Sequence, residues 1–174
     1  MKAVRTVSAI GAVAALVGGV AASERPVDAM TPDNQDHNVC RTSSYSYLVT
    51  AYDSGVAELQ TLPGWNTTLH PGNCADAKMY DGAYSSGWVG NTICESWSWW
   101  NPGACDNMKV RLNRTQLGTD AGKWKSTGCH ELGHTVDLPH NWRTSSCMYT
   151  DSGAFPLSFD ATDDSEALFT WAFA

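Results

Sequence analysis

The chain has 174 residues, with 18 Asp and Glu against 11 Lys and Arg and a net charge of −7. That length suits one domain. So acidic a chain is a poor partner for phosphate backbones or anionic lipid, which argues against nucleic-acid binding and against a membrane-surface role.

Residues 1–23 have the layout of a secretory signal: Lys2 and Arg5, then a small, apolar run from Val7 to Ala22, with Ala21-Ala22-Ser23 offering small residues for cleavage. The run is shorter than the ~20 residues of a membrane span, and it is rich in Ala and Gly rather than Leu. Its removal leaves nine Lys and Arg against 18 acids, a net charge of −9. No second run of this kind follows, so the expected product is secreted, with no membrane anchor. Residues 24–39 are polar, with Pro26 and Pro32, and read as a flexible arm or a short pro-segment. Residues 40–174 are the expected folded domain.

Ser44 to Leu62 carries Leu48, Tyr52, Val56, Leu59 and Leu62 at helical spacing. Ser43 or Ser44 can cap its start, and Pro63-Gly64 ends it. A strand through Tyr45, Tyr47 and Val49 is the alternative. Trp65 to Val110 is rich in Gly, Ser, Asn and aromatics. Strand-like pieces fall at residues 66–70, 77–80, 88–94 and 108–113. The last places Met108, Val110 and Leu112 on one face and Lys109, Arg111 and Asn113 on the other. Trp97, Trp99 and Trp100 crowd into ESWSWWNPG. They can form a substrate wall or a sugar-stacking platform, but packing is the expectation. His37 and His70 have no ligand-type partners at useful spacing and are assigned no chemistry.

Asp120 can cap a helix that runs to about Val136. Within it, GCHELGHTVDLPH places His130 and His134 four residues apart, with Glu131 between them and His140 six residues beyond. Residues i and i+4 of a helix lie on one face, so two imidazoles can share one metal ion while Glu131 stands beside it as a base. Catalytic zinc usually takes three protein ligands and keeps a fourth position for water. His140 reaches the same ion only if the helix stops and the chain turns back. Pro139 cannot continue the helix and pushes Leu138 toward extended geometry. Asp137 falls where positive φ is needed, a conformation Gly adopts most cheaply and Asp tolerates.

HELGHTVDLPH resembles the H-E-x-x-H-x-x-G-x-x-H signature of the metzincins, with Asp137 in place of Gly. Ser146-Cys147-Met148-Tyr149 follows eight residues after His140 and resembles their Met-turn, with Met148 as the floor beneath the histidines. The resemblance covers about residues 109–149. It implies an α+β fold: a mixed, twisted sheet, a backing helix near residues 44–62, an active-site helix and a C-terminal helix. It also implies that residues 88–94 form the sheet edge above the cleft, where a peptide can add as a strand. Small size and secretion resemble snapalysin-type bacterial neutral proteases, whose third ligand is Asp where this chain has His140. Some metzincins add a Tyr ligand two residues past the Met. Here that place is Thr150, so the role is not carried over to Tyr149.

What the resemblance implies is a zinc endopeptidase: one ion on His130, His134 and His140 activates a water, and Glu131 takes its proton. The expected partner is a protein or peptide substrate, with the chain a monomer. No EF-hand-like run appears, and a structural calcium ion elsewhere is left open. A zinc amidohydrolase or deacylase acting on a non-protein amide, or a non-catalytic binding module that retains zinc, are the rival readings.

All six Cys lie beyond residue 23, and an even count in a secreted chain implies disulfides. Fifteen pairings are open. Position suggests Cys129 with Cys147, tying the zinc helix to the Met-turn, then Cys94 with Cys105 and Cys40 with Cys74. No C-x-x-C spacing supports Cys as zinc ligands. Cys40 does not resemble a propeptide cysteine switch and is expected to be structural. Asp163 or Asp164 can cap a last helix through Phe173, with Ala167, Leu168, Trp171 and Ala172 as its apolar stripe.

Overall fold

The computed structural model describes residues 30–69, 76–150 and 155–173. Five strands form one sheet: β1 (Asp36–Arg41), β2 (Asn66–Leu69), β3 (Ala77–Gly82), β4 (Gly90–Trp97) and β5 (Cys105–Asn113). Their spatial order is β2-β1-β3-β5-β4. All neighbours are parallel except β4, which runs antiparallel to β5 and ends the sheet. The helices are α1 (Ser46–Leu59), a single turn α2 (Arg114–Leu117), α3 (Ala121–His134) and α4 (Ala161–Phe173). The expected mixed sheet is present with β4 at its edge, together with a helix at residues 46–59, a helix that carries the His motif and a C-terminal helix.

The helical reading of residues 44–62 holds. Leu48, Tyr52, Val56 and Leu59 are buried along one stripe of α1, and Leu62 is buried just beyond it. That stripe packs on α3, and the two helices approach closely enough to need glycine. A Cβ on Gly128 would lie 2.6 Å from the Ala51 carbonyl oxygen, and one on Gly55 would lie 2.9 Å from that of Gly128. The Ser caps are not used as expected: Tyr45 holds the N-cap position of α1 with no side-chain cap. Ser43 Oγ accepts from the Tyr45 amide at 3.3 Å. In β5, Met108, Val110 and Leu112 are buried as their alternation requires. Asn113 departs from it. It is fully buried, donates to the carbonyls of Ser86 and Trp88, and accepts from the amides of Tyr84 and Thr115.

One interior strand escaped the polar reading of residues 24–39. From residue 30 onward this stretch is not an arm. β1 lies between β2 and β3, and Met30, Thr31 and Pro32 cross between α3 and β5. Its sequence, DHNVCR, looks like a loop because its polar side chains have tertiary partners. Asn38 bonds Asp76 through its amide and its side chain, and it also accepts from Thr68. His37, 1% exposed, bonds Thr135 at the end of α3 at 2.8 Å. The Thr135 hydroxyl donates to the Leu132 carbonyl at 2.6 Å. Its one hydrogen is thereby committed, so His37 Nε2 is the donor to Thr135.

Cys94–Cys105 and Cys129–Cys147 are bonded. Cys40 is disulfide-bonded too; its expected partner Cys74, like His70, lies outside the described residues, as do residues 1–29. Trp97, Trp99 and Trp100 are exposed, not packed, at 66%, 90% and 53%. The loop between the paired cysteines closes on itself through Ser98 and Ala104, and Ser98 takes the inward position. At the other end of the chain, Asp160 takes the capping role expected of Asp163 or Asp164: its Oδ1 accepts from the Thr162 amide at 2.8 Å. Ala167 is buried, but Leu168 is half exposed and does not belong to the stripe. The side chains of Trp171 and Ala172 lie outside the described residues. Among the described residues, no helix is long and apolar enough to cross a membrane.

Candidate metal centre

α3 begins where Asp120 Oδ1 accepts from the amides of Gly122 and Lys123 at 2.9 and 3.2 Å, which satisfies two orphan donors of the first turn. It ends at His134 in a Schellman-type turn. The Leu138 amide reaches back to the Gly133 carbonyl at 3.1 Å and the Asp137 amide to that of His134 at 3.4 Å. Asp137 sits at φ 65°, the sole non-glycine with positive φ among the described residues, as its place in the motif requires. Its side chain is partly buried and turns toward the N-terminal segment. Asp137 Oδ2 accepts from Thr31 Oγ1 at 3.2 Å, while the Met30 amide donates to the His134 carbonyl at 2.9 Å. The N-terminal segment thus straps the bend that returns the chain to the metal helix.

That bend brings three imidazoles together. The Nε2 atoms of His130, His134 and His140 form a triangle with edges of 3.2 Å (130–134), 3.1 Å (130–140) and 3.0 Å (134–140). The protons show what the triangle is for. His130 Nδ1–H donates to the Cys147 carbonyl at 2.7 Å, and His134 Nδ1–H donates to the Leu138 carbonyl at 2.9 Å. In the neutral ring, the Nε2 of each is then a bare lone pair. Two bare lone pairs cannot hydrogen-bond each other, so the His130–His134 contact is one that a shared cation would satisfy. Tetrahedral zinc with Zn–N bonds of about 2.0–2.1 Å sets nitrogens about 3.3 Å apart, a little wider than found. Burial holds His130 down at about 4 and His134 at about 3, and it lowers His140 as well, so all three are neutral imidazoles at pH 7. No other group of three His, Cys, Asp or Glu among the described residues converges in this way.

Residues 146–149 form the tight turn expected, with the Tyr149 amide bonded to the Ser146 carbonyl at 3.1 Å. Met148 is fully buried, and its Sδ lies against Gly133, where a Cβ would collide with it. Met148 is therefore an apolar floor pressed on α3 one residue before His134. Sequence reasoning missed what holds this floor in place. Asp163, fully buried, accepts from Ser146 Oγ at 2.6 Å, from Asn141 Nδ2 at 2.7 Å and from the Asp160 amide at 2.7 Å. It joins the Met-turn, the residue after His140 and the start of α4 in one network. Only a tertiary contact map could have shown this, since the sequence marks Asp163 as one acid among several.

Glu131 is 5% exposed, and burial pushes its carboxyl up to about 7 against the opposing pull of Thr92 and Arg111. It lies in a cleft of about 410 Å³ with the three histidines, Gly90 and Thr92 of β4, and the apolar walls Trp88, Val89, Tyr149 and Phe155. The arrangement can hold a divalent metal, place a basic carboxylate beside it, and offer a strand edge along one wall.

Comparison with known proteins follows the same line. No protein-family model and no curated protein matches the sequence. Among solved structures, the chain is similar to archaemetzincin from Methanopyrus kandleri, with a TM-score of 0.55 and 14% sequence identity over 82% of this chain and 99% of that one. At that identity the likeness is one of fold alone, and the cluster of three histidines is an observation on this chain itself.

Proposed function

We propose that this protein is a secreted zinc endopeptidase. The observation that carries the reading is the convergence of three Nε2 atoms, two of them stripped of protons by carbonyls behind them, beside one buried carboxylate. His130, His134 and His140 hold the ion. Bound there, zinc supplies a Lewis acid and a water far more acidic than bulk water. Glu131 takes the proton of the attacking water and delivers it to the leaving amine. Its pKa, raised by burial, suits both tasks near neutral pH, and the ion's positive charge draws it back toward the ionised form. The free edge of β4 accepts an extended peptide through backbone hydrogen bonds, and Trp88, Val89, Tyr149 and Phe155 receive apolar side chains. A substrate read through its backbone is a polypeptide, which favours peptidase over deacylase. Export rests on residues 1–23 and suits the disulfides; the working unit is a monomer.

The test is direct. Purified protein should contain about one zinc ion per chain and cleave casein, and a chelator should abolish the cleavage until zinc returns. Glu131→Gln should keep the metal and lower kcat by roughly 10²–10⁴-fold. Normal casein cleavage by that variant sinks the assignment of the base. A wild-type protein that holds zinc but cuts no peptide leaves the deacylase and binding-module readings.

A further inference from the structure

Thr92 lies on β4 opposite α3, and its side chain is wholly inaccessible to solvent. Threonine suits a strand, and packing alone would be satisfied by valine, which has the same shape. The hydroxyl nevertheless touches one residue at two points. Thr92 Oγ1 is 2.7 Å from Glu131 Oε2 and 2.9 Å from the Glu131 carbonyl oxygen. That carbonyl is among the last four of α3, which lack helical partners. Thr135, four residues on, sends its amide to Leu132 at 3.0 Å instead. With its one hydrogen the hydroxyl donates to one of these two oxygens at a time, but it lies within bonding reach of both, so it holds the side chain close to its own backbone.

The second constraint comes from the same strand. A Cβ on Gly90 would lie 2.6 Å from Glu131 Cγ and 2.5 Å from Oε1, so bare strand backbone presses on the stem of the glutamate. Arg111 acts on Glu131 only through its charge. We propose that Thr92 is the positioning residue for Glu131: with Gly90 at its back, the hydroxyl locks the carboxyl in the one orientation that faces the metal centre. The inference rests on the peptidase reading above. It adds that the edge strand, besides offering its backbone to substrate, sets the angle of the base.

The experiment pairs Thr92→Val, which keeps the shape and removes the hydroxyl, with Thr92→Ser, which keeps the hydroxyl. For Thr92→Val the expected result is a kcat about 10- to 100-fold lower with KM and zinc stoichiometry unchanged, because a misaimed base slows chemistry without touching binding. Thr92→Ser should restore kcat to within about threefold of wild type. In crystals of the metal-free Thr92→Val variant, the Glu131 carboxyl should leave the orientation it holds in wild type and in Thr92→Ser. Wild-type kcat in Thr92→Val, an unmoved carboxyl, or loss of zinc from both variants overturns the proposal. If the wild type proves to cut no peptide, the metal-free crystals still decide whether Thr92 orients Glu131, so the two ideas fail separately.

Discussion

Two stretches of this chain are closed by a disulfide and otherwise share little. Cys129 and Cys147, 18 positions apart, join α3 to the Met-turn. Within that span His134, Val136, Leu138 and Cys147 are buried, with Met148 next in line. Cys94 and Cys105, 11 positions apart, join β4 to β5 and close a loop whose three indoles point outward. A crosslink limits the conformations of a segment but does not choose its environment. The first segment is buried only at its two ends, residues 129–138 where α3 packs on α1 and residues 146–147 at the turn, while Trp142 between them is 79% exposed. The second is exposed because β4 is the last strand of the sheet.

Replacing both cysteines of either pair by Ser separates the two effects. Loop-closure entropy assigns each bond about 3 kcal/mol, the longer loop slightly more, so chemical denaturation should show similar losses. Zinc affinity should differ. We expect a drop of about tenfold or more for Cys129→Ser/Cys147→Ser, since the Cys147 carbonyl orients His130, and little change for Cys94→Ser/Cys105→Ser. Competition with a calibrated chelator measures it, and equal affinities would erase the distinction.

His37 sharpens the picture of the buried side. Burial holds its imidazole at about 4, down from 6.5, so below pH 6.5 the unfolded chain takes up a proton that the folded chain refuses. Its contribution is whole above 6.5, shrinks as pH falls and is gone near 4, a total of up to roughly 3 kcal/mol. Urea unfolding of metal-free protein at about pH 7.5 and 4.5 should show a larger acid loss in wild type than in His37→Gln. Equal losses would mean that His37 is not the group responsible.

Single substitutions give the smallest and most local contrast. Gly133→Ala pushes a methyl into Met148 and should cost about 1–3 kcal/mol. Trp99→Ala, at a residue 90% exposed, should stay within about 0.5 kcal/mol. Calorimetric Tm values compare them, and a Trp99→Ala loss as large as that of Gly133→Ala would show the indole to be packed.

The helix and bend that bring the three histidines together were legible in the sequence because their information is local. Three histidines at offsets four and six, a prolyl stop and an Asp at the bend specify one short piece of backbone. The positive φ of Asp137 could be anticipated from steric rules alone. α1 and β5 were legible for a related reason: each buries one face, and a buried face leaves a period in the sequence. β1 was not legible, because His37 and Asn38 are satisfied by Thr135, Asp76 and Thr68 from distant elements. The exposure of the tryptophans failed for the opposite reason, since hydrophobic composition says nothing about whether a neighbour exists to cover it.

By itself, then, the order of residues determined which side chains can meet on one ion, where the helix must stop, and which faces of α1 and β5 turn inward. Each of these follows from backbone geometry over a few residues. Only the folded molecule decided what holds the centre steady: Thr92 and Gly90 against Glu131, Asp163 beneath the Met-turn, and Met30 and Thr31 across the bend. Those partners lie far from the motif in sequence, and a hydrogen bond between distant residues leaves no mark on either until the chain has brought them together.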